Sequence, residues 1–423
     1  MGKLAGCYAR YLSMLAERLS QEGMRGVTPV DLTYKGLSVG ELRELNRGGD
    51  IEDIYGLSPL QEGLYYHWLR EPESAVYFEQ MRYELTGELD MGLVERSYGE
   101  LVERHGILRT HFTQEAGDRV LQVMRRGVAG GFGYGEVQEE SAAEELRRAD
   151  RSRSFDLHSG SQMRLTVLKR GERRYEFIWS HHHIITDGWC IGIMIREFLE
   201  LYGSHKEGRE PRLGKVTPYS RYIKWLEGVD KEGSLQYWKE YLRGYDTLRA
   251  LPGSGTGPRG EYEVKESRME VSGELRASVQ RLCGRSGVTE NVFLQAVWGI
   301  LLSRYNDTRD VVFGSAVSGR PGSIEGIEEM IGLFVNTIPV RVRYGEGMTF
   351  VELLRQLQEE SIAGTDHHHV QLAEIQRQSQ LGKELFDHGM QMQNYPLHEI
   401  LKGKMAGSGG TGGISRSNPR ARS

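Results

Sequence analysis

Three cysteines in 423 residues, Cys7, Cys190 and Cys283, are too few and too far apart for a disulfide framework, and no C-x-x-C pair suggests a zinc knuckle. A reducing compartment, the cytoplasm, is the expected setting. The chain also has no basic block. Its 54 Lys+Arg face 59 Asp+Glu for a formal net charge of −5, which argues against nucleic acid as the main partner. No stretch approaches the ~18 apolar residues of a membrane helix, and the first residues contain no apolar signal core. Neither a membrane partner nor secretion is therefore expected. Proline is scarce at 11, and the abundant glycine, 54 residues, follows no Gly-X-Y period, so collagen is excluded.

With 38% hydrophobic and 27% charged residues, the chain has material for two cores, since single cores stop growing near ~250–300 residues. Leu4, Tyr8, Leu12, Leu15 and Leu19 recur at helical spacing and predict a helix over 3–20. Residues 21–50 read as a linker packed on the domain after it. In 92–112 a helix is expected first, then a strand carrying Leu108, Arg109 and Thr110. Residues 162–169 and 173–180 alternate like paired strands, with Tyr175, Phe177 and Trp179 on one face and Gly171 at the turn. Helices are expected over 190–203, 232–245, 274–304 with a break near Gly287, and 348–362. Strands are expected at 263–270, 310–316 and 334–343. The glycine-rich stretch 253–260 joins the halves, and from Gly407 onward the composition predicts a disordered tail.

The richest stretch is 181–189, HHHIITDGW, set where a strand gives way to a helix. Histidine can take up and return protons at cellular pH. Asp187, four residues further on, suits a buried anchor for the loop through an arginine, and Gly188 permits close backbone approach or a positive φ. Other readings stand beside this one. A His-x-x-x-Asp pair can be plain polar surface. Two histidine triplets, 181–183 and 367–369, raise the question of a metal, but adjacent histidines on an extended backbone point to opposite faces and no zinc-ligand spacing is present. Cys190 could be a nucleophile or, beside an apolar helix, simply buried packing.

These residues resemble the HHxxxDG signature of condensation domains from nonribosomal peptide synthetases. Further segments stand in that family's order: LSPLQEGLYYHWL (57–69), RHGILRTHF (104–112), PYSRYIKWL (218–226), VVFGSAVSGRP (311–321), IGLFVNTIPVRV (331–342) and LFDHGMQMQNYP (385–396). The resemblance runs from about residue 28 to 402. It implies a mixed α/β fold like that of chloramphenicol acetyltransferase, two lobes in a V around a central tunnel. It also implies amide formation between an acyl or peptidyl donor and an aminoacyl acceptor, in the biosynthesis of peptide antibiotics and other secondary metabolites. Both substrates would arrive as thioesters on the phosphopantetheine arms of carrier proteins, with no cofactor bound to this chain and no metal. Adenylation and epimerisation domains would be its neighbours.

By the same resemblance His183 is the central catalytic residue, as a base or as a positioner of the amine, and His182 turns into the fold. Asp187 would form a salt bridge with Arg109, Gly188 would offer a backbone N–H, and Trp189 and Asn336 would face the substrate tunnel. Retention of His182, His183 and Gly188 argues against the cyclising relatives, which carry DxxxxD. The upstream YLSMLAERLS…GVTPVDL resembles the end of an epimerisation domain and its linker, which implies a D-configured donor. The expected organisation is an upstream tail and linker over 1–50, a first lobe over 51–227, a second over 228–402 and a tail over 403–423. Family members continue beyond NYP, so the second lobe is expected to be incomplete. Two alternatives accompany this reading: a non-catalytic remnant that only docks carriers, and a stand-alone acyltransferase of the same fold.

Overall fold

The structure, a computed structural model, describes residues 2–20, 27–74, 76–251 and 266–393. Its helices are α1 (Gly2–Ser20), α2 (Val39–Leu45), α3 (Pro59–Arg70), α4 (Met91–Arg104), α5 (Glu140–Ser152), α6 (Gly188–Glu207), α7 (Ser220–Gly228), α8 (Lys231–Tyr241), α9 (Gly273–Ser286), α10 (Glu290–Tyr305), α11 (Phe350–Gly364) and α12 (Leu372–Gln378). Its strands are β1 (Ile51–Gly56), β2 (Phe78–Thr86), β3 (Thr110–Thr113), β4 (Leu121–Arg125), β5 (Gly131–Glu136), β6 (Met163–Lys169), β7 (Arg174–His182), β8 (Asp310–Val317), β9 (Asn336–Arg343) and β10 (Gly389–Met390).

Helix α1 forms as its apolar spacing predicts, yet Leu4, Tyr8, Leu12 and Leu15 are all more than half exposed. The linker does the opposite. A capping box between Ser38 and Glu41 starts α2, and Leu32, Leu37 and Leu42 bury against Ile51, Ile54, Leu121 and Val123. These last four belong to the sheet β1-β4-β3, so the linker is packed on the domain after it, as its composition suggests.

The larger sheet has the order β2-β7-β6-β5 and is antiparallel apart from the β5–β6 pair. Period-2 alternation sends Tyr175, Phe177 and Trp179 to one face. There Trp179 meets Tyr98 of α4 and Phe198 of α6 edge-on, at centroid distances of 5.7 and 5.5 Å. The opposite face carries Glu176 to Arg170 and, on α5, Arg147. Strand β7 runs two residues past its expected end, because Phe78 and Glu79 of β2 still pair with His182 and His181. The predicted strand at Leu108-Arg109 is instead a tight helical turn over Gly106–Arg109, held by the Thr110 hydroxyl donating to the Gly106 carbonyl, and β3 starts one residue later.

In the second half, β10-β8-β9 form a sheet with helices on both faces. Val292, Ala296, Leu302 and Leu354 of α10 and α11 pack on Val311, Phe313 and Val342, while Trp238 of α8 and Ile375 of α12 pack on Val312 and Ile338. Gly287, at φ 71°, ends α9 in the left-handed conformation and makes the expected break before α10. The outer edge of β9 is closed by Pro339 and by Tyr241, whose hydroxyl accepts the Arg341 N–H. Of the strand expected at 263–270, residues 266–270 form none, and the rest lies outside the described residues, as do the joining segment 253–260 and the tail after Gly407.

Residues 324–334 leave their own half. Ile324, Ile327, Met330, Ile331, Leu333 and Phe334 join the core of the first half, beside Ile185, Cys190 and Tyr219. The two halves therefore meet directly behind the histidine loop.

Candidate active site

Strand β7 delivers three histidines to one loop, and their surroundings give them different chemistry. His181 and His182 are buried, and burial first, then neighbouring imidazoles, pushes each pKa down to about 3. Both rings are neutral. The Nδ1 of His182 accepts the Ile184 N–H at 3.1 Å, so its proton resides on Nε2 and the ring serves as a cap for the turn over His183–Ile185.

His183 is half-buried, and its Nδ1 lies 2.7 Å from the Thr186 carbonyl. A carbonyl only accepts, so Nδ1 carries the proton and the lone pair of the neutral ring sits on Nε2. The turn itself is fixed from two sides. Gln61, fully buried on α3, donates to the Ile184 carbonyl at 2.9 Å, and the His183 N–H donates to the Tyr77 carbonyl at 2.8 Å.

Asp187 is the N-cap of α6. One carboxylate oxygen accepts the N–H groups of Trp189 and Cys190 at 3.1 and 3.3 Å, and the other accepts the Phe334 N–H at 3.2 Å. Its cationic partner is Arg320, at 3.5 Å, with both side chains almost fully buried. This corrects the expected pairing with Arg109. The Arg109 guanidinium is engaged by Glu52 at 2.6 Å, by the Arg125 carbonyl at 2.7 Å and by the Glu103 carbonyl at 3.0 Å, so it ties α4 to β1 and β4. Arg320 is held over the Phe334 ring at 4.0 Å and donates to the carbonyls of Ile327 and Met330.

Cys190 lies inside this junction. Its sulfur receives the Gly332 N–H and an Arg320 N–H, each at 3.3 Å, and the thiol reaches the Gly332 carbonyl at 3.2 Å. Burial, reinforced by the Asp187 carboxylate, pushes the thiol up to about 12, so it is not a nucleophile at neutral pH. Gly332 is required here because a Cβ would stand 2.2 Å from the buried Tyr219 ring. Gly188 opens α6 without a positive φ, so the left-handed option is not the one used, and its N–H has no acceptor among the described residues. Trp189 keeps its ring partly exposed, and its indole N–H donates to the Glu328 carbonyl at 3.0 Å.

Asn336 borders a narrow cleft between the halves with Ser58, Tyr222, Phe334, His368 and Gln371. Its side-chain NH2 donates to the carbonyls of His368 and Val370, and its oxygen accepts the Thr337 N–H. The amide is committed to holding that loop. The second triplet is dispersed: His367 stacks on Tyr237 and His369 sits edge-on to Trp225. Among the described residues no three His, Cys, Asp or Glu side chains converge on a metal site, and no helix is long and apolar enough to cross a membrane. The sequence reading missed the roles of Arg320, Gln61 and Tyr77. The first two lie in motif segments already singled out.

Comparison with known proteins points the same way as the geometry. The family model described as Condensation domain matches residues 51–421. Bacitracin synthase 3 of Bacillus licheniformis is 36% identical over 397 residues, which cover 92% of this chain and 6% of that protein. Gramicidin S synthase 2 of Brevibacillus brevis is 37% identical over 359 residues, 83% of this chain and 8% of that protein. The chain thus spans a small fraction of these relatives. Among solved structures, the starter condensation domain of rhizomide synthetase superposes with a TM-score of 0.69 at 18% identity, over 86% of this chain and 82% of that one. The first condensation domain of the calcium-dependent antibiotic synthetase gives 0.65 at 17% identity, over 86% and 84%.

Proposed function

The chain belongs to the condensation-domain family of nonribosomal peptide synthetases, and from that premise we propose that it joins a carrier-bound acyl or peptidyl thioester to a carrier-bound aminoacyl acceptor through an amide bond. The observation that carries this reading is the His183 ring, whose Nδ1 is held by the Thr186 carbonyl so that the Nε2 lone pair is available to an amine. The acceptor nitrogen attacks the donor thioester carbonyl, forming the C–N bond and a zwitterionic tetrahedral adduct. His183 Nε2 takes the proton from nitrogen. The C–S bond then breaks, the carbonyl re-forms, and the proton passes to the departing thiolate.

An α-amine is already a competent nucleophile toward a thioester, so holding it on Nε2 supplies much of the rate through orientation. The Gly188 N–H, at the positive end of α6, is free to meet the developing oxyanion. Asp187, which accepts three backbone N–H groups and faces Arg320, anchors the loop and is not a base. His182 supports the turn, and Trp189 and Asn336 set its flanks rather than donating to substrate.

We assign residues 1–50 to an upstream tail and linker, and 51–227 and 228–402 to the two lobes. The partners are a donor and an acceptor carrier protein bearing phosphopantetheine arms, with adenylation and epimerisation domains adjacent, in the cytoplasm. The upstream segment favours a donor ending in a D residue.

The test mixes purified protein with donor- and acceptor-loaded carriers and seeks the amide-linked thioester on the acceptor carrier by mass spectrometry. Product that requires both carriers supports the proposal, and a preference for a D-ended over an L-ended donor supports the assigned stereochemistry. Equal transfer to a free amino acid would indicate a stand-alone acyltransferase. Carrier binding without product would indicate docking alone.

A further inference from the structure

Two non-glycine residues among those described have a positive φ, Tyr77 at 75° and Asp307 at 46°. For a bulky side chain this left-handed region is sparsely populated, so the fold must over-determine it. Tyr77 is placed immediately before β2. The β2–β7 ladder pairs Phe78 with His182, and the next pair outward is Tyr77 opposite His183, joined by the His183 N–H donating to the Tyr77 carbonyl at 2.8 Å.

On a continued extended strand, residues directly opposite place their Cβ atoms ~4.5–5.5 Å apart on the same face. The Tyr77 ring would then stand beside the His183 imidazole. The left-handed turn carries it elsewhere, to the rings of His182 at 6.2 Å and His67 at 5.9 Å. The carbonyl still reaches His183. With Thr186 holding the ring through Nδ1, Tyr77 fixes the other end of the same residue, its backbone.

We propose that Tyr77 is a positioning residue for His183: its left-handed backbone aims a carbonyl at the His183 N–H and withdraws its own ring from the side on which the imidazole meets the amine. This rests on the reading of His183 as the reacting group, and the test separates the two. Tyr77→Phe keeps the ring, Tyr77→Asn tolerates a positive φ without it, and Tyr77→Val resists a positive φ because of its β-branch. Single-turnover amide formation between loaded carriers is measured for each, with thermal melting and the 15N signals of the His183 imidazole.

Phe and Asn are expected to keep the rate within about threefold, whereas Val loses about 10–100-fold in kcat at unchanged KM and shifts the His183 signals. Should the Val chain not fold, Tyr77→Leu replaces it, with a smaller loss in the same direction. A Val or Leu variant at the wild-type rate with unshifted signals overturns the proposal, and so does an Asn variant that falls as far as Val. If His183→Ala alone keeps the full rate, the reading of His183 fails, while the imidazole signals still decide whether Tyr77 sets its geometry.

Discussion

Removal of Arg320 tests the junction behind the histidine loop. At 3.5 Å and an effective dielectric of ~20, the gross attraction between Arg320 and Asp187 is about 5 kcal/mol. Desolvation of both groups offsets part of this, and removing one partner of a buried pair costs about 3–5 kcal/mol, since the other is left uncompensated. Asp187 keeps three backbone N–H donors, so a coupling of about 2–3 kcal/mol is expected. The assay is a double-mutant cycle of Arg320→Met and Asp187→Asn, read by urea denaturation followed by tryptophan fluorescence. A parallel cycle pairs Arg109→Met with Asp187→Asn and is expected to give no more than about 0.5 kcal/mol, because Arg109 is spent on Glu52 and two carbonyls. Coupling below about 0.5 kcal/mol for Arg320, or above about 2 kcal/mol for Arg109, would refute the reasoning.

Three further perturbations probe the same contacts. Burial holds His181 and His182 at about 3 and His111 and His368 at about 4. Each is lowered on folding, so the unfolded chain binds more protons below pH ~6.5. Their contribution is complete above that pH and is lost as pH falls toward 3–4. His182→Asn keeps an acceptor for the Ile184 N–H while removing one titrating group, and should flatten the dependence of stability on pH by about 1.4 kcal/mol per unit near pH 5; an unchanged slope would count against a buried neutral ring. Of the three thiols, exposed Cys7 should react rapidly with a disulfide reagent in the native protein, and buried Cys190 and Cys283 only after denaturation. Gly332→Ala, which drives a Cβ into the Tyr219 ring, should cost about 1–3 kcal/mol by thermal or urea unfolding, and a neutral result would mean that the ring moves freely.

The histidine loop was legible because two local signals meet there, the period-2 alternation ending at Ser180 and the helical spacing beginning at Cys190. The linker over 27–50 was equally clear from its few apolar residues. What stayed hidden was long-range. Arg320 and Asp187 are far apart in sequence, and they meet only because residues 324–334 fold back onto the first core. An arginine nearer in sequence, Arg109, was the natural choice without that information. Tyr77 carries no sequence signal, since a positive φ at tyrosine is imposed by tertiary contacts and opposes local preference. Helical spacing correctly predicted α1 but could not tell that its apolar stripe remains exposed.

The most direct measurement is the single-turnover rate of amide formation between loaded carriers with His183→Ala, alongside its melting curve. A fall of about 100-fold or more with an unchanged melting temperature is predicted, because the Nε2 acceptor is lost while the turn, held by Gln61, Tyr77 and His182, survives. A folded His183→Ala protein that forms product at the wild-type rate would contradict the account.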